Sequence, residues 1–178
     1  VGTSYREDSA AAGREAAAGA IARLSTASPA VAIVYATADH DQAALLAGIR
    51  SEMPGVPLVG CSGEGVIAHD ESTEAFSAVA VMVVASDRIR FRTLLVEGYG
   101  ESPAGAGERL AALVNPHIAD AACLCLMPDG LQGNCTEFLS ALHAKLAKPL
   151  PVVGGLAADA MSFERTYQYV DDKIVSGG

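Results

Sequence analysis

The sequence predicts an α/β fold, a duplicated helix–strand–helix–strand–hairpin unit forming layered mixed sheets flanked by helices. Hydrophobic residues make up 51% of the chain, yet there is no Trp and only four Phe and five Tyr. Such a composition, rich in Ala, Val, Leu and Ile, suits thin layers of strand and helix. Ala-rich segments alternate with short β-branched runs, the pattern of strand–helix–strand units. The order of elements then recurs. "GVPLVGC" is matched by "PLPVVGG", Pro57 by Pro151, Val59 by Val153 and Gly60 by Gly154, 94 residues apart, with the first strands about 91 apart. The halves run over about 8–98 and 101–178. With so few aromatics in halves of about 90 residues, they are expected to share one core.

In the first half, Asp8 and Ser9 can cap a helix over 10–24, where Ala carries the smallest helix cost. Pro29 closes the following linker, and the β-branched run 31–35 reads as a buried strand. Asp41 caps a helix over 42–52 that Pro54, Gly55 and Pro57 end. A short strand at 57–59 leads into "GCSGEG", read as a loop. Two longer strands close the half as a hairpin around Ser86, Asp87 and Arg88: 76–85, nearly all apolar, and 89–97, where Arg90 and Arg92 alternate with Ile89 and Phe91.

In the second half, Ser102 and Pro103 start a helix to about 114, and 121–126 is an apolar strand. Asn134 with Glu137 forms a capping-box pattern for a helix to 146, with Phe138, Leu139, Leu142 and Leu146 on one face. The short strand of "PLPVVGG" follows. Strand 163–170, a turn at Asp171 and Asp172, and Ile174 with Val175 make a second hairpin, shorter than the first, so the natural chain is expected to continue beyond Gly178. The start at Val1 without Met suggests a trimmed or renumbered beginning, which makes 1–7 a poor guide to the native start.

Charge excludes several functions. A net charge of −9 with twelve scattered Lys and Arg does not suit nucleic acid, which needs clustered cations. Anionic membrane surfaces would repel the chain, and the longest apolar run, 78–85, is far too short to cross a bilayer, so no membrane insertion is expected. Cys61, Cys123, Cys125 and Cys135 form no CxxC pair, and Cys123 and Cys125 sit in an apolar run where free thiols are usually buried. This reads as a reducing, cytoplasmic setting.

The stretch "GCSGEG" fails the tests for common chemistries. Its glycines run G-x-x-G-x-G rather than G-x-G-x-x-G, a strand rather than a helix follows, and no Lys with Ser or Thr follows Gly65. A nucleophile elbow needs Gly where Glu64 stands. Cys61 remains a lone candidate with His69 eight residues on, but Glu64 nearby would raise its pKa, and a small residue packed at a tight turn explains it as well. "ADHDQ" and "AHDES" offer one His each without a second ligand at i+4, and His117 and His143 are not spaced as a pair, so no metal is expected.

Four segments follow the short strands: "ATADHD", "GCSGEG", "MPDGLQG" and "GGLAAD". Parallel strands would gather them along one sheet edge, where α/β proteins bind ligands. They hold Asp39, Asp41, Glu64, Asp129 and Asp159, with no Lys or Arg. Carboxylates clustered in a crevice require a cation or amine, and glycine-rich backbone could meet a carboxylate, so an amino acid or small peptide satisfies both. The competing reading makes the same carboxylates helix caps and turn residues around no pocket.

These residues resemble the FIST family over nearly the whole chain. "PLVGCSGEGVI" (57–67), "MPDGLQGN" (127–134) and "PVVGGLAADAMSFERTYQYVDDKIVSGG" (151–178) carry the resemblance. It implies a single N-terminal FIST-type domain over 1–178, acting as a sensory input module for small molecules such as amino acids and coupled to a C-terminal portion or signalling output domain. Gly60, Cys61, Ser62 and Gly65 match the first motif, Asp129 and Gly130 the second, Gly154, Gly155 and Asp159 the third; with Gly63 and Glu64 these are the expected ligand-binding residues. No catalytic residue and no cofactor is expected from the residues themselves; haem enters through the resemblance alone, and no haem-ligating His maps onto this sequence. Two other readings stay open: a hydrolase or acyl-transfer enzyme using Cys61 or Ser62, with glycine-loop amides as an oxyanion site, and a protein-interaction scaffold without a small ligand.

Overall fold

The computed structural model describes residues 1–24, 28–68, 71–74 and 76–178. His69 and Asp70, which belong to the candidate "AHDES" stretch, lie outside the described residues. Four α-helices start where the sequence places caps. Asp8 accepts from the Ala11 amide at the head of α1 (Ser9–Ala22), Asp41 from Ala44 at α2 (Gln42–Glu52), Ser102 from Gly105 at α3 (Pro103–Val114), and Asn134 from Glu137 at α4 (Cys135–Lys145). Each side chain takes up one amide that the first turn leaves without a carbonyl.

The helices pack as two pairs through the same device. At Gly13 of α1 a Cβ would run into Leu45 O and Ile49 N of α2; at Gly107 of α3 it would run into Phe138 O and Leu142 N of α4. The absence of a side chain lets each pair of backbones touch.

The strands are β1 (Gly2–Ser4), β2 (Val31–Thr37), β3 (Leu58–Gly63), β4 (Val66–Ala68), β5 (Glu71–Thr73), β6 (Val79–Val84), β7 (Leu124–Leu126), β8 (Val152–Gly154), β9 (Gln168–Val170) and β10 (Lys173–Val175). Six form one mixed sheet in the order β1-β6-β2-β3-β9-β10, with β2 and β3 parallel and every other neighbour antiparallel. A separate parallel pair, β7 and β8, belongs with α3 and α4, and β4–β5 is a small hairpin. The fold is therefore mixed α/β with a multi-strand sheet flanked by helices.

Several expectations are corrected. "GCSGEG" is not a loop from Gly60: β3 runs on to Gly63 because β2 pairs with it on one side and β9 on the other. Residues 89–97 do not pair with β6, since both edges of β6 are already taken by β1 and β2. They cross to the second unit, where Glu97 O accepts from Arg109 and Val96 packs against the α3–α4 core. Residues 163–167 form a loop instead of a strand, and the β9–β10 hairpin leaves its own half to extend the first sheet.

The apolar core falls into three clusters, and the first two draw residues from both halves, as expected of a shared core. One cluster joins α1, α2 and the central sheet, a second joins α3, α4 and the β7–β8 side, and a small third seats the β4–β5 hairpin on Ala78 and Ala80. Tyr169, carried across on β9, is wholly buried in the first cluster, where its hydroxyl donates to Gln42 Oε1. The Gln42 amide in turn donates to the carbonyls of Ala38 and His40, so one side chain from the second half fixes the turn between β2 and α2.

Candidate functional site

The ends of the two parallel strand pairs meet at a seam. Ser62, wholly buried near the end of β3, donates from Oγ to Ala158 O at 2.7 Å and accepts from Tyr167 N at 2.9 Å. Its backbone adds two rungs, Ser62 N to Tyr167 O at 2.8 Å and Ala158 N to Ser62 O at 3.0 Å. Residues 155–167 of the second half are thus strapped across the end of β3. Asp129 reaches the same strap through a β-bridge to Ala157, and a Cβ at Gly130 would run into Ala157 O.

The expected site residues divide into three groups. Ser62, Asp129, Gly130 and Asp159 come together along the seam. Gly63, Glu64 and Gly65 continue from Ser62 into the turn before β4, with Glu64 exposed. Gly60, Cys61, Gly154 and Gly155 lie at or beside the parallel pairs: Gly60 and Gly154 occupy matched register positions opposite Val34 and Leu126, and Gly155 is exposed just beyond β8.

Four of the five carboxylates have taken internal partners. Asp39 accepts from the amide and hydroxyl of Ser77, and Asp41 caps α2. Buried Asp129 accepts from Leu131 N at 2.7 Å, Gln132 N at 3.0 Å and Gly177 N at 2.9 Å. Asp159, 4% exposed, accepts from Phe163 N, Glu164 N and Arg165 N. Burial pushes the Asp159 carboxyl up, but these amides outweigh it and hold it below the usual carboxylate range. Glu64 is the exposed carboxylate left at the seam.

Cys61 is 4% exposed, and burial, with a smaller contribution from the Cys125 thiol, pushes its pKa up to about 12. A thiol so held is not a thiolate at neutral pH. Ser62 already uses its hydroxyl as donor and acceptor to backbone groups. Cys123 and Cys125, expected to be buried, are exposed, because β7 has a strand neighbour on one side only. Ellman's reagent at pH 8 is therefore expected to modify Cys123 and Cys125 in the native protein and Cys61 only after denaturation. Mass spectrometry of the labelled peptides reads this directly, and native labelling of Cys61 would contradict the burial.

An apolar cavity of about 110 Å³ lies between the first sheet and the second unit, lined in part by Val59, Leu95, Tyr99, Cys125, Leu126 and Gln168. Sequence reasoning missed it, because its walls come from segments distant in the chain and it carries no polar motif. None of its lining residues is a histidine. His40 is buried elsewhere with Nδ1 against Ser9 Oγ. Among the described residues no group of His, Cys, Asp and Glu could hold a metal, and no helix is long and apolar enough to cross a membrane.

Fold and seam together define a mixed α/β domain whose sequence motifs, distant in the chain, gather where two parallel strand pairs end. The family model for the FIST N domain matches residues 30–178, and the chain belongs to the FIST family, sensory domains of signal transduction. No curated protein matches it, and no solved structure does.

Proposed function

We propose that this domain is a cytoplasmic sensory input module that binds a small amine-bearing metabolite, of the amino-acid kind, at the seam, and passes the change to a C-terminal portion or signalling output domain. The observation that carries this reading is the convergence of three motifs: Ser62 from the first, Asp129 from the second and 157–159 from the third are held within one hydrogen-bonded strap. A ligand settling there touches both units at once, which is what a sensor needs to convert binding into a change of their relative packing.

The division of labour differs from that expected of a carboxylate cluster. Asp129 and Asp159 act as internal braces, which leaves Glu64, exposed at the seam, to meet the ammonium group. A nucleophilic role for Cys61 or Ser62 has the burial of one and the saturated hydroxyl of the other against it.

A thermal-shift screen of free amino acids and small amines is expected to find a ligand that raises the melting temperature, with the shift lost in Glu64→Gln. No shift across the screen would overturn the metabolite reading; a shift unchanged in Glu64→Gln would move the ammonium site elsewhere.

A further inference from the structure

One imidazole is shut between two helix heads. His40, in the turn between β2 and α2, is 5% exposed. Its Nδ1 lies 3.0 Å from the hydroxyl of Ser9 in the first turn of α1, and that hydroxyl oxygen also accepts from the Asp41 amide at 3.0 Å. A single serine thus ties the head of α1 to His40 and to the cap of α2. The other ring nitrogen, Nε2, is buried without a hydrogen-bond partner among the described residues.

This arrangement suits a neutral ring. Neutral His40 accepts the Ser9 hydroxyl at Nδ1 and leaves one uncharged N–H unpaired at Nε2. An imidazolium must donate from both nitrogens, which puts a charge in a closed space with an unanswered donor. The neighbouring carboxylates give little relief. Asp8 at the head of α1 and Asp41 at the head of α2 are turned to the amides they cap, those of Ala11 and Ala44. Asp39 is the one charge among the described residues that acts on the ring, and it is committed to the amide and hydroxyl of Ser77. Asp39 and the Ser77 main chain favour the charged form, but burial outweighs them and holds the His40 pKa below that of a free imidazole.

The main chain of the turn is anchored independently of the ring. Gln42 donates to the carbonyls of Ala38 and His40 while its own carbonyl accepts from Tyr169. The ring can therefore leave without the sheet coming apart.

We propose that His40 is a proton-operated latch between the heads of α1 and α2: neutral, it keeps Ser9 on the Asp41 amide; protonated, it leaves its site, admits water beside Ser9 and frees that amide while the sheet stays folded. The sign follows from the lowered pKa. The open form takes up a proton at about pH 6.5 and the closed form only at lower pH, so the latch is fully closed above about pH 6.5 and loosens as pH falls toward the value of the buried ring. Acidity is then a second input to the first unit.

The test is hydrogen exchange of the protein as it stands, corrected for the intrinsic rates. Between about pH 7.5 and pH 5 the protection of the Asp41 amide is expected to fall about tenfold, while the amides of β2 keep theirs. His40→Gln, a polar side chain that binds no proton in this range, is expected to abolish the fall. Should that variant not fold, NMR titration of the His40 ring in the parent decides: its protons are expected to stay at their neutral positions through pH 6.5 and to move only as Asp41 loses protection. A flat profile for Asp41, or a fall retained in His40→Gln, would overturn the latch. So would a loss shared equally by the β2 amides, which is general unfolding, or a ring that titrates near pH 6.5 with Asp41 still protected.

Discussion

Gly60→Ala is expected to destabilise the protein by about 3 kcal/mol or more, the cost of forcing backbone apart in a packed interior. At Gly60 a Cβ would run into Val34 O, the carbonyl of the neighbouring parallel strand, and would stand 3.0 Å from the ring of Tyr169. Neither neighbour can give way. The carbonyl belongs to the central strand of the sheet, and the ring is wholly buried with its hydroxyl committed to Gln42. For a chain of this length each kcal/mol corresponds to roughly 2–4 °C, so a fall of roughly 10 °C in melting temperature is expected. Gly154→Ala should cost as much, because a Cβ there would run into Leu126 O and φ is +140°. Gly155→Ala is the control: nothing lies within 4 Å of its Cβ, and a change within about 0.5 kcal/mol is expected. Urea denaturation of the three variants measures these costs, and a Gly60→Ala protein as stable as the parent would show that the strands can part.

The contrast between Gly154 and Gly155 marks how far the sequence could be read. Both glycines stand in "PVVGG" and look alike; only the strand pairing distinguishes one that faces a carbonyl from one that faces open space. Helix starts were legible because a cap and the amide it serves lie three residues apart, as with Asp41 and Ala44. The true length of β3 was not, because its partners are at 32–37 and 168–170. Residues 89–97 have the alternation of a strand, yet the edge they would need on β6 is taken by β1, three residues at the start of the chain that carry no strand signal of their own. Ser62, Asp129 and Asp159, each from a different motif, meet along the seam. Their roles were hidden because the acceptor sites of both aspartates are filled by backbone amides, which leave no mark in side-chain chemistry.

Asp159→Ala is expected to cost about 3 kcal/mol, because three backbone amides lose a charged acceptor at once. The carboxylate accepts from Phe163 N at 3.1 Å, Glu164 N at 2.7 Å and Arg165 N at 2.9 Å. Within the loop it gathers, Ala160, Met161 and Phe163 all have φ between 56° and 59°, a conformation that costs a residue with a side chain about 1 kcal/mol or more. Met161 and Phe163 are 72% and 73% exposed, so packing contributes little to holding them there. The carboxylate offsets that strain, and its charge sets a pH dependence. The Asp159 pKa in the folded protein is lowered, because the amide bonds outweigh the opposing effect of burial. A lowered pKa contributes stability that is fully present above the unfolded value, about 3.9, and is lost as pH falls through the folded value. Protection of the Phe163, Glu164 and Arg165 amides from hydrogen exchange should therefore be flat above about pH 5 and decline below about pH 4. Asp159→Asn keeps the shape and one acceptor oxygen but carries no charge, so its protection should be lower at neutral pH and lack the acid step. Retention of the acid step in that variant would assign it to another carboxylate, and unchanged protection at pH 7 would show that the loop holds its left-handed residues without the clamp.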